Sequence, residues 1–345
     1  MADLPPPSLR LNLDEGALAA NWRALDALSG AARAGAAVKA DGYGLGAARV
    51  ARALKAAGAQ DFFVAHWSEA AELEGAIDMR RLSVLHGPLR AEDAAFARAL
   101  GVRPVINSVP QARRWLESGG GPCDLMVDTG INRLGLAPAD LGDPAVAALE
   151  IDVLMSHLAS ADEDSALNAL QLDRFRAACA AVPARRHSLA NSAGIALGAD
   201  YAFDLTRPGL ALYGGVPRAE LAGRIRQVAR PQAAIIQVRM LSPGESVGYN
   251  ATFTADRPLR AGVVSLGYAD GFLRCRGQGA LHHRGGALPL LGKVSMDMVV
   301  VDLSAAPQAG EGDWLDVPFD LPGAASACGL SQYELLTTLG RRLRA

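Results

Sequence analysis

The sequence predicts an α/β protein: a (β/α)8 TIM-type barrel over residues 8–222, followed by a mostly β C-terminal domain over residues 223–345. Three observations carry that prediction. Eight short apolar, β-branched runs alternate with Ala-rich helical stretches at roughly 20- to 30-residue spacing, which implies right-handed βαβ units on a parallel sheet. Eight such units are enough to close a barrel. Past about residue 222 the runs are broken instead by Pro-Gly, Gly-Gly and Asp-Gly turns with no helices between them, the texture of an antiparallel domain.

In chain order, LRLNLDEGALAANWRAL supplies a short strand and a helix ahead of the barrel, and residues 1–13 are expected to join the C-terminal domain. The barrel strands follow as AAVKA (36–40), FFVAH (62–66), SVLHG (83–87), PVIN (104–107), DLMVD (124–128), IDVLMSH (151–157), HSLAN (187–191) and DLTRPGLALY (204–213). Between them, AARVARALKAAG should end at Gly58, and DEDSALNALQLDRFRAACAAV can be capped by Ser or Asp and stopped before Pro183. In the second domain QAAIIQVRML, GVVSLGYADGF, ALPLLGKVSMDMVVVDL and DWLDVPF are strand-like, and no helix is expected before SQYELLTTLGRRLRA.

Composition narrows the function classes. Half of the 345 residues are apolar and a fifth are charged, which excludes a disordered or fibrous chain. A net charge of −2 offers no electrostatic footprint for nucleic acid or an anionic membrane. No apolar run approaches a membrane span and the N-terminus lacks a hydrophobic leader, so a cytoplasmic location is expected. Cys123, Cys179, Cys275 and Cys328 form no CxxC pair and no Cys/His metal spacing; they are read as reduced small hydrophobes, and no metal is expected. Of 34 basic residues only three are lysines, so amine chemistry has three candidates.

Lys39 closes the first barrel strand, at the end where barrels carry their active sites. Partial desolvation beside AAV would favour the neutral amine that Schiff-base chemistry needs; the alternative is a lysine that caps the barrel mouth or pairs with Asp41. Lys55 suits the C-terminal turn of its helix, and Lys293 has no distinctive setting. Gly42, Gly44 and Ala47 match the GxGxxA of dinucleotide sites, but no ribose-binding acid ends the next strand, where His66 and Trp67 stand. ANSAGI after the seventh strand and TRPGLALYG in the eighth fit a phosphate cradle, with Ser192 supplying a hydroxyl and Gly209 close backbone approach; an N-cap and ordinary turn chemistry are the alternatives. Arg133 and Arg207 could meet a carboxylate or a cofactor nitrogen, with His157 orienting one of them. Tyr249 lies in a Gly-flanked loop, where a surface tyrosine is the default.

The motifs VKADGYGLG, VDTGINRLG, MSHLASAD, ANSAG, RPGLALYG, VGYNATF, GYADGF and GKVSMDMVVVDL, in this order, resemble the alanine racemase family of fold-type-III pyridoxal-phosphate enzymes. The resemblance runs from LRLNLD to the last helix. It implies pyridoxal 5'-phosphate carried on Lys39, which would also serve as one base, and Tyr249 as the opposite base, reaching across a homodimer interface so that the active sites are shared. Tyr43, Asn191, Ser192, Gly209 and Leu210 would hold the cofactor phosphate, Arg207 the pyridine nitrogen, and His157 would link Arg207 towards Tyr249. Arg133 and Met296 would hold the carboxylate of a small amino-acid substrate, with Tyr268 and Asp297 lining the way in. The implied reaction is interconversion of L- and D-alanine, for peptidoglycan supply or for catabolism. Met126 departs from the family pattern, standing where many members have a carbamylated lysine behind the substrate arginine. Competing readings are a broader racemase that includes serine, a non-catalytic pyridoxal-phosphate-binding protein, and a fold-type-III decarboxylase or aldolase.

Overall fold

In the computed structural model, which describes residues 5–344, seven barrel strands pair in parallel in chain order. They are Ala36–Ala37, Phe62–Val64, Leu82–Val84, Arg103–Ile106, Pro122–Met126, Glu150–Met155 and Arg186–Ser188. Leu205–Thr206 closes the ring. It lies parallel to Arg33–Ala34; on its far side Asp204 N donates to His187 O (3.1 Å) and Arg207 N to Ala190 O (2.8 Å), and on its near side Gly35 N donates to Thr206 O (2.9 Å). The barrel is therefore complete, as the alternation of apolar runs implies.

The eighth strand is shorter than its apolar run. DLTRPGLALY leaves the sheet after Thr206, because Pro208 has no N–H for the ladder and Gly209 turns the chain into a short 3-10 turn, Leu210–Tyr213. The expected helix limits hold elsewhere: Ala47–Ala57 stops at Gly58 with φ +124, and Ala166–Ala181 starts under the Ser165 hydroxyl, which accepts from Leu167 N.

The chain divides into two compact units, residues 15–226 and a unit in which residues 5–14 join 227–344; residues 1–4 of the expected 1–13 segment lie outside the described residues. The division falls after Arg226 because buried Asn21, on helix Glu15–Leu28, holds both backbone groups of that residue. Its Nδ2 donates to Arg226 O at 2.9 Å and its Oδ1 accepts from Arg226 N at 2.7 Å.

In the second unit Ala229–Leu241 pairs with Leu259–Val264, and the ring continues through Val299–Asp302, Gly286–Leu291, Ala280–His283 and Trp314–Asp316 back to Ala229–Leu241, antiparallel throughout. Leu9–Leu13 adds to the long strand, Leu9 opposite Ala233. Leu241, Val247, Leu259, Ala261 and Leu291 form an apolar cluster in this unit. Helix Leu321–Cys328 is an element the sequence reading left out: its Pro, Gly and small residues carry a weak helical signal, and the Asp320 cap that starts it is easy to miss.

At the N-terminal end of the first barrel a buried ion cluster fills the floor. Arg103 reaches Asp61 at 3.1 Å and also pairs with Asp152, while Arg186 spans Asp61 and Asp152 at 2.8 Å each. Such charges belong to the stabilising end of a (β/α)8 barrel. Among the described residues no helix is long and apolar enough to cross a membrane, and no group of three metal-ligating side chains gathers.

Candidate active site

The opposite end of the same barrel collects the chemistry. Lys39 follows the first strand, Glu69 the second, His86 the third, Arg133 the fifth, His157 the sixth, Ser192 the seventh, and Arg207 and Gly209 the eighth. All stand at the C-terminal ends of parallel strands, where catalytic loops converge.

Lys39 opens a turn of unusual hand. Ala40, Asp41, Gly42, Tyr43 and Gly44 all have φ between +53 and +85, a left-handed run that costs L-residues about 1–2 kcal/mol each. Backbone bonds from Gly42 N to Val38 O and from Gly44 N to Ala40 O, both 2.8 Å, hold it. Asp41 Oδ1 takes the N–H of Ala47 at 2.7 Å and so fastens the turn to the next helix. Glu69 braces it from the second strand: one carboxylate oxygen accepts from Ala40 N, the other from Ala65 N (2.7 Å) and His66 N (2.9 Å). This turn aims Lys39 and seats Tyr43.

Burial lowers the Lys39 amine below its usual value, and Arg133 and Arg207 push the same way against Glu69. The neutral, nucleophilic form is thereby favoured. His157 is pushed down to about 3 by burial, then by Arg207, Arg133 and Lys39, so it is a neutral imidazole at physiological pH. Arg207 is buried and lowered to about 10 by burial; it donates to the Ser156 carbonyl and the Ser188 hydroxyl and stays a cation at neutral pH. Thus Lys39, Arg133, His157 and Arg207 form one electrostatic neighbourhood.

A cradle lies beside them. The Ser192 hydroxyl accepts from Gly209 N at 2.9 Å and Ala211 N at 3.2 Å, and Asn191 Oδ1 caps the short helix Ser192–Ala196 through Gly194 N at 2.8 Å. Tyr43 stacks on buried Tyr213, ring centroids 4.6 Å apart, and Tyr213 donates to Ala37 O at 2.8 Å. A Cβ on Gly209 would lie 2.2 Å from the Tyr43 hydroxyl. Only a residue without a side chain lets the phenol come this close to the backbone of the eighth strand end, where the Tyr43 hydroxyl, the Ser192 hydroxyl and the Gly209 and Ala211 amides offer groups suited to phosphate. Leu210 is buried in the same turn.

Arg133 is exposed in a loop organised by Asp128, whose carboxylate accepts from Gly130 N (2.8 Å), Asn132 N (3.1 Å) and Arg133 N (3.1 Å). Among the described residues no carboxylate forms an ion pair with its guanidinium, and Met126 lies buried under the same loop, where a Cβ on Gly135 would come within 3.1 Å of it.

The expected residues of the second unit gather on that unit. Tyr268 N donates to Ser295 O (3.1 Å) and Ala269 N to Met296 O (3.0 Å), which places Tyr268, Met296 and Asp297 side by side. Arg342 ties them down, reaching buried Asp270 and exposed Asp297 at 2.8 Å each. Tyr249 sits on a separate hairpin tip between Ser246–Val247 and Phe253–Thr254, flanked by Gly248 at φ +72 and Asn250 at φ +65. Lys293 Nζ donates to Asn250 Oδ1 at 3.2 Å. Tyr249 is 66% exposed and Met296 53%.

The sequence reading missed two features of the barrel mouth. Glu69 was legible as the fourth residue of a His66-x-x-Glu69 capping box, although its grip on Ala40 is tertiary. His66 and His86, on neighbouring strand ends, meet edge to face with centroids 4.2 Å apart, a pairing that no local pattern announces.

Comparison with known proteins decides the family. Residues 13–217 match the model of the alanine racemase N-terminal domain and residues 228–345 that of its C-terminal domain. The chain belongs to the alanine racemase family. An alanine racemase of Cereibacter sphaeroides is 43% identical over 345 residues, covering 96% of each chain, and one of Acidiphilium cryptum is 40% identical over 348 residues, covering 97% of each. Among solved structures, the alanine racemase of Bartonella henselae with covalently bound pyridoxal phosphate is 34% identical, with a TM-score of 0.88 over 98% of each chain.

Proposed function

We infer that this chain interconverts L- and D-alanine with pyridoxal 5'-phosphate, using Lys39 and Tyr249 as the two bases. The observation that supports the reading is the gathering, at the C-terminal ends of the barrel strands, of buried Lys39, whose amine is lowered by burial, Arg133 and Arg207, with Ser192, Gly209 and Tyr43, where a Cβ on Gly209 would clash with the Tyr43 hydroxyl. The bound cofactor supplies a conjugated sink for the charge left when the substrate loses its α-proton. The chain's own residues do the rest. Lys39 would hold the cofactor, and its amine would remove or return the proton on the D face. Racemisation needs a second group on the opposite face, and Tyr249 is that group. Ser192, Tyr43, Asn191 and the backbone of Gly209 and Leu210 hold the phosphate. Arg207, charged at neutral pH, would face the ring nitrogen without readily yielding a proton, which would restrain side reactions; neutral His157 would link it towards Tyr249. The unpaired Arg133 guanidinium and the N–H of Met296 hold the substrate carboxylate, and Tyr268 and Asp297 line the approach.

The working form in this reading is a homodimer in which each Tyr249 serves the partner's barrel, and the exposure of Tyr249 and Met296 supports that arrangement. The same proposal includes a cytoplasmic enzyme that supplies D-alanine for peptidoglycan. Reductive trapping with borohydride followed by peptide mapping tests the centre of the reading. The cofactor label is expected on Lys39; a label on Lys55 or Lys293 overturns it.

A further inference from the structure

The floor of the first barrel carries a cavity of about 660 Å³ that no step of the proposed reaction uses. It is built where the chain leads into the third to seventh barrel strands, at the end opposite Lys39. Guanidinium groups dominate its polar lining: five arginines share it with two aspartates, Asp78 and Asp152. Three of the five are already engaged. Arg80 pairs with Asp78 at 3.1 Å, Arg185 with Glu150 at 3.1 Å, and Arg103 with Asp61 and Asp152. Arg81 and Arg98 differ. Both are exposed, and among the described residues neither forms an ion pair with a carboxylate. Arg98 is nonetheless held in place. It leaves the last turn of helix Ala91–Leu100 and donates to Ser118 O, and a Cβ on Gly119 would lie 1.8 Å from its Nη1, so the guanidinium rests on bare backbone. Trp115 fixes the glycine run that follows, donating from Nε1 to Gly121 O at 3.1 Å. Arg81 ends the short turn Met79–Arg81, which Asp78 caps. Ala97, Val102, Trp115 and Pro122 supply an apolar part of the lining.

We propose that this floor cavity is a binding site for a small organic phosphate monoester, separate from the cofactor groups at the barrel mouth. Charge sets the class of ligand. Two guanidiniums without carboxylate partners call for a dianion, and a phosphate monoester carries about −1.5 to −2 at neutral pH. A monocarboxylate would leave one of the two uncompensated. Planar guanidinium forks present paired N–H donors to the phosphate oxygens. Size sets the rest. A space of about 660 Å³ falls in the range of small-molecule sites and exceeds what a bare phosphate fills, and the apolar lining is suited to a carbon skeleton. Arg103 and Asp152 belong both to this cavity and to the buried ion cluster of the floor. A ligand held here therefore stabilises the folded barrel by mass action and touches none of the proposed reacting groups.

Isothermal titration calorimetry on the cofactor-loaded protein at physiological ionic strength tests the assignment, with ribose 5-phosphate as the probe and ribose and inorganic phosphate as its two halves. One ribose 5-phosphate should bind per chain, ribose should not bind, and inorganic phosphate should bind at least about tenfold more weakly. Arg81→Gln and Arg98→Gln should each weaken the probe about tenfold or more. Both side chains are exposed, so the variants should fold, and their urea midpoints check it. Arg49→Gln removes the same charge from an exposed pair with Glu15 elsewhere on the barrel and should leave the affinity unchanged. A probe that does not bind, or that binds both floor variants as tightly as wild type, overturns the proposal. An equal loss in Arg49→Gln overturns it too, since the response would then be to net charge. Binding lost in Ser192→Ala instead would place the phosphate at the barrel mouth, and inorganic phosphate bound as tightly as the ester would overturn the assignment to an organic ligand.

Discussion

A hydrogen in place of a methyl at position 209 decides whether the eighth strand can pass the Tyr43 ring. Tyr43 cannot yield, since it is stacked on fully buried Tyr213, so a Gly209→Ala side chain 2.2 Å from the Tyr43 hydroxyl must displace the loop. Overpacking of this kind costs about 1–3 kcal/mol. Because the displaced atoms are those proposed to hold phosphate, Gly209→Ala should weaken cofactor binding about tenfold, which corresponds to about 1.4 kcal/mol. A cofactor titration followed by absorbance measures it; unchanged affinity would remove Gly209 from the cradle. His157 gives a second expectation at this scale. Its folded value near 3 lies below the unfolded value of about 6.5. Below pH 6.5 the unfolded chain therefore takes up a proton that the folded barrel refuses. The stability this contributes is fully present above pH 6.5 and declines as the pH falls towards 3. Relative to wild type, His157→Gln should gain about 1–2 kcal/mol between pH 7 and pH 5, read from urea unfolding at the two pH values. A difference that does not move with pH would mean the imidazole is not held neutral.

Among the elements, the left-handed turn after the first strand depends most on another segment. Removing the Glu69 carboxylate strands three backbone N–H groups, those of Ala40, Ala65 and His66, and an unsatisfied donor costs about 1–3 kcal/mol. Glu69→Ala should lower the unfolding free energy read from urea denaturation by an amount in that range and should also reduce the fraction of enzyme that retains cofactor, since the turn carries Lys39. Loss of stability with full cofactor retention would show the brace to be structural only. The contrast between this turn and the strands explains what can be read from sequence. Barrel strands are legible because apolar runs such as FFV and LMV are buried on both faces and recur with the βα period. Gly58 and Ser165 are legible because caps are local chemistry. The turn is not legible, since Ala40, Asp41 and Tyr43 do not advertise positive φ and adopt it under tertiary restraint. The early end of the eighth strand was written in Pro208 and Gly209 but outweighed by the apolar LALY that follows. The contact of His66 with His86 is set by packing between separate strand ends, beyond any window of local pattern. Proposed site residues embedded in motifs, such as Lys39, Ser192 and Arg207, are found by resemblance; Glu69, which braces the backbone beside Lys39, is found only from coordinates.

At the scale of the whole molecule the question is which chains build one site. In the proposed site Lys39, Arg133, Arg207 and the phosphate-binding groups would come from the barrel unit, and Tyr249, Met296, Tyr268 and Asp297 from the β unit. If a site draws its two halves from different chains of a two-fold dimer, two inactive variants can repair each other. Lys39→Ala subunits lack the cofactor lysine but keep Tyr249, and Tyr249→Phe subunits have the reverse defect. In a mixed dimer one site combines both lesions and is dead, while the other combines intact Lys39 with intact Tyr249. Random reassortment of equal amounts makes half of the dimers mixed, so roughly a quarter of all sites should be restored. The activity of the mixture after reversible dissociation should therefore rise to about a quarter of wild type per subunit, well above either parent. Should the mixture stay as inactive as its parents, with subunit exchange confirmed by native mass spectrometry of differently sized tags, both bases must come from one chain and the shared-site reading falls.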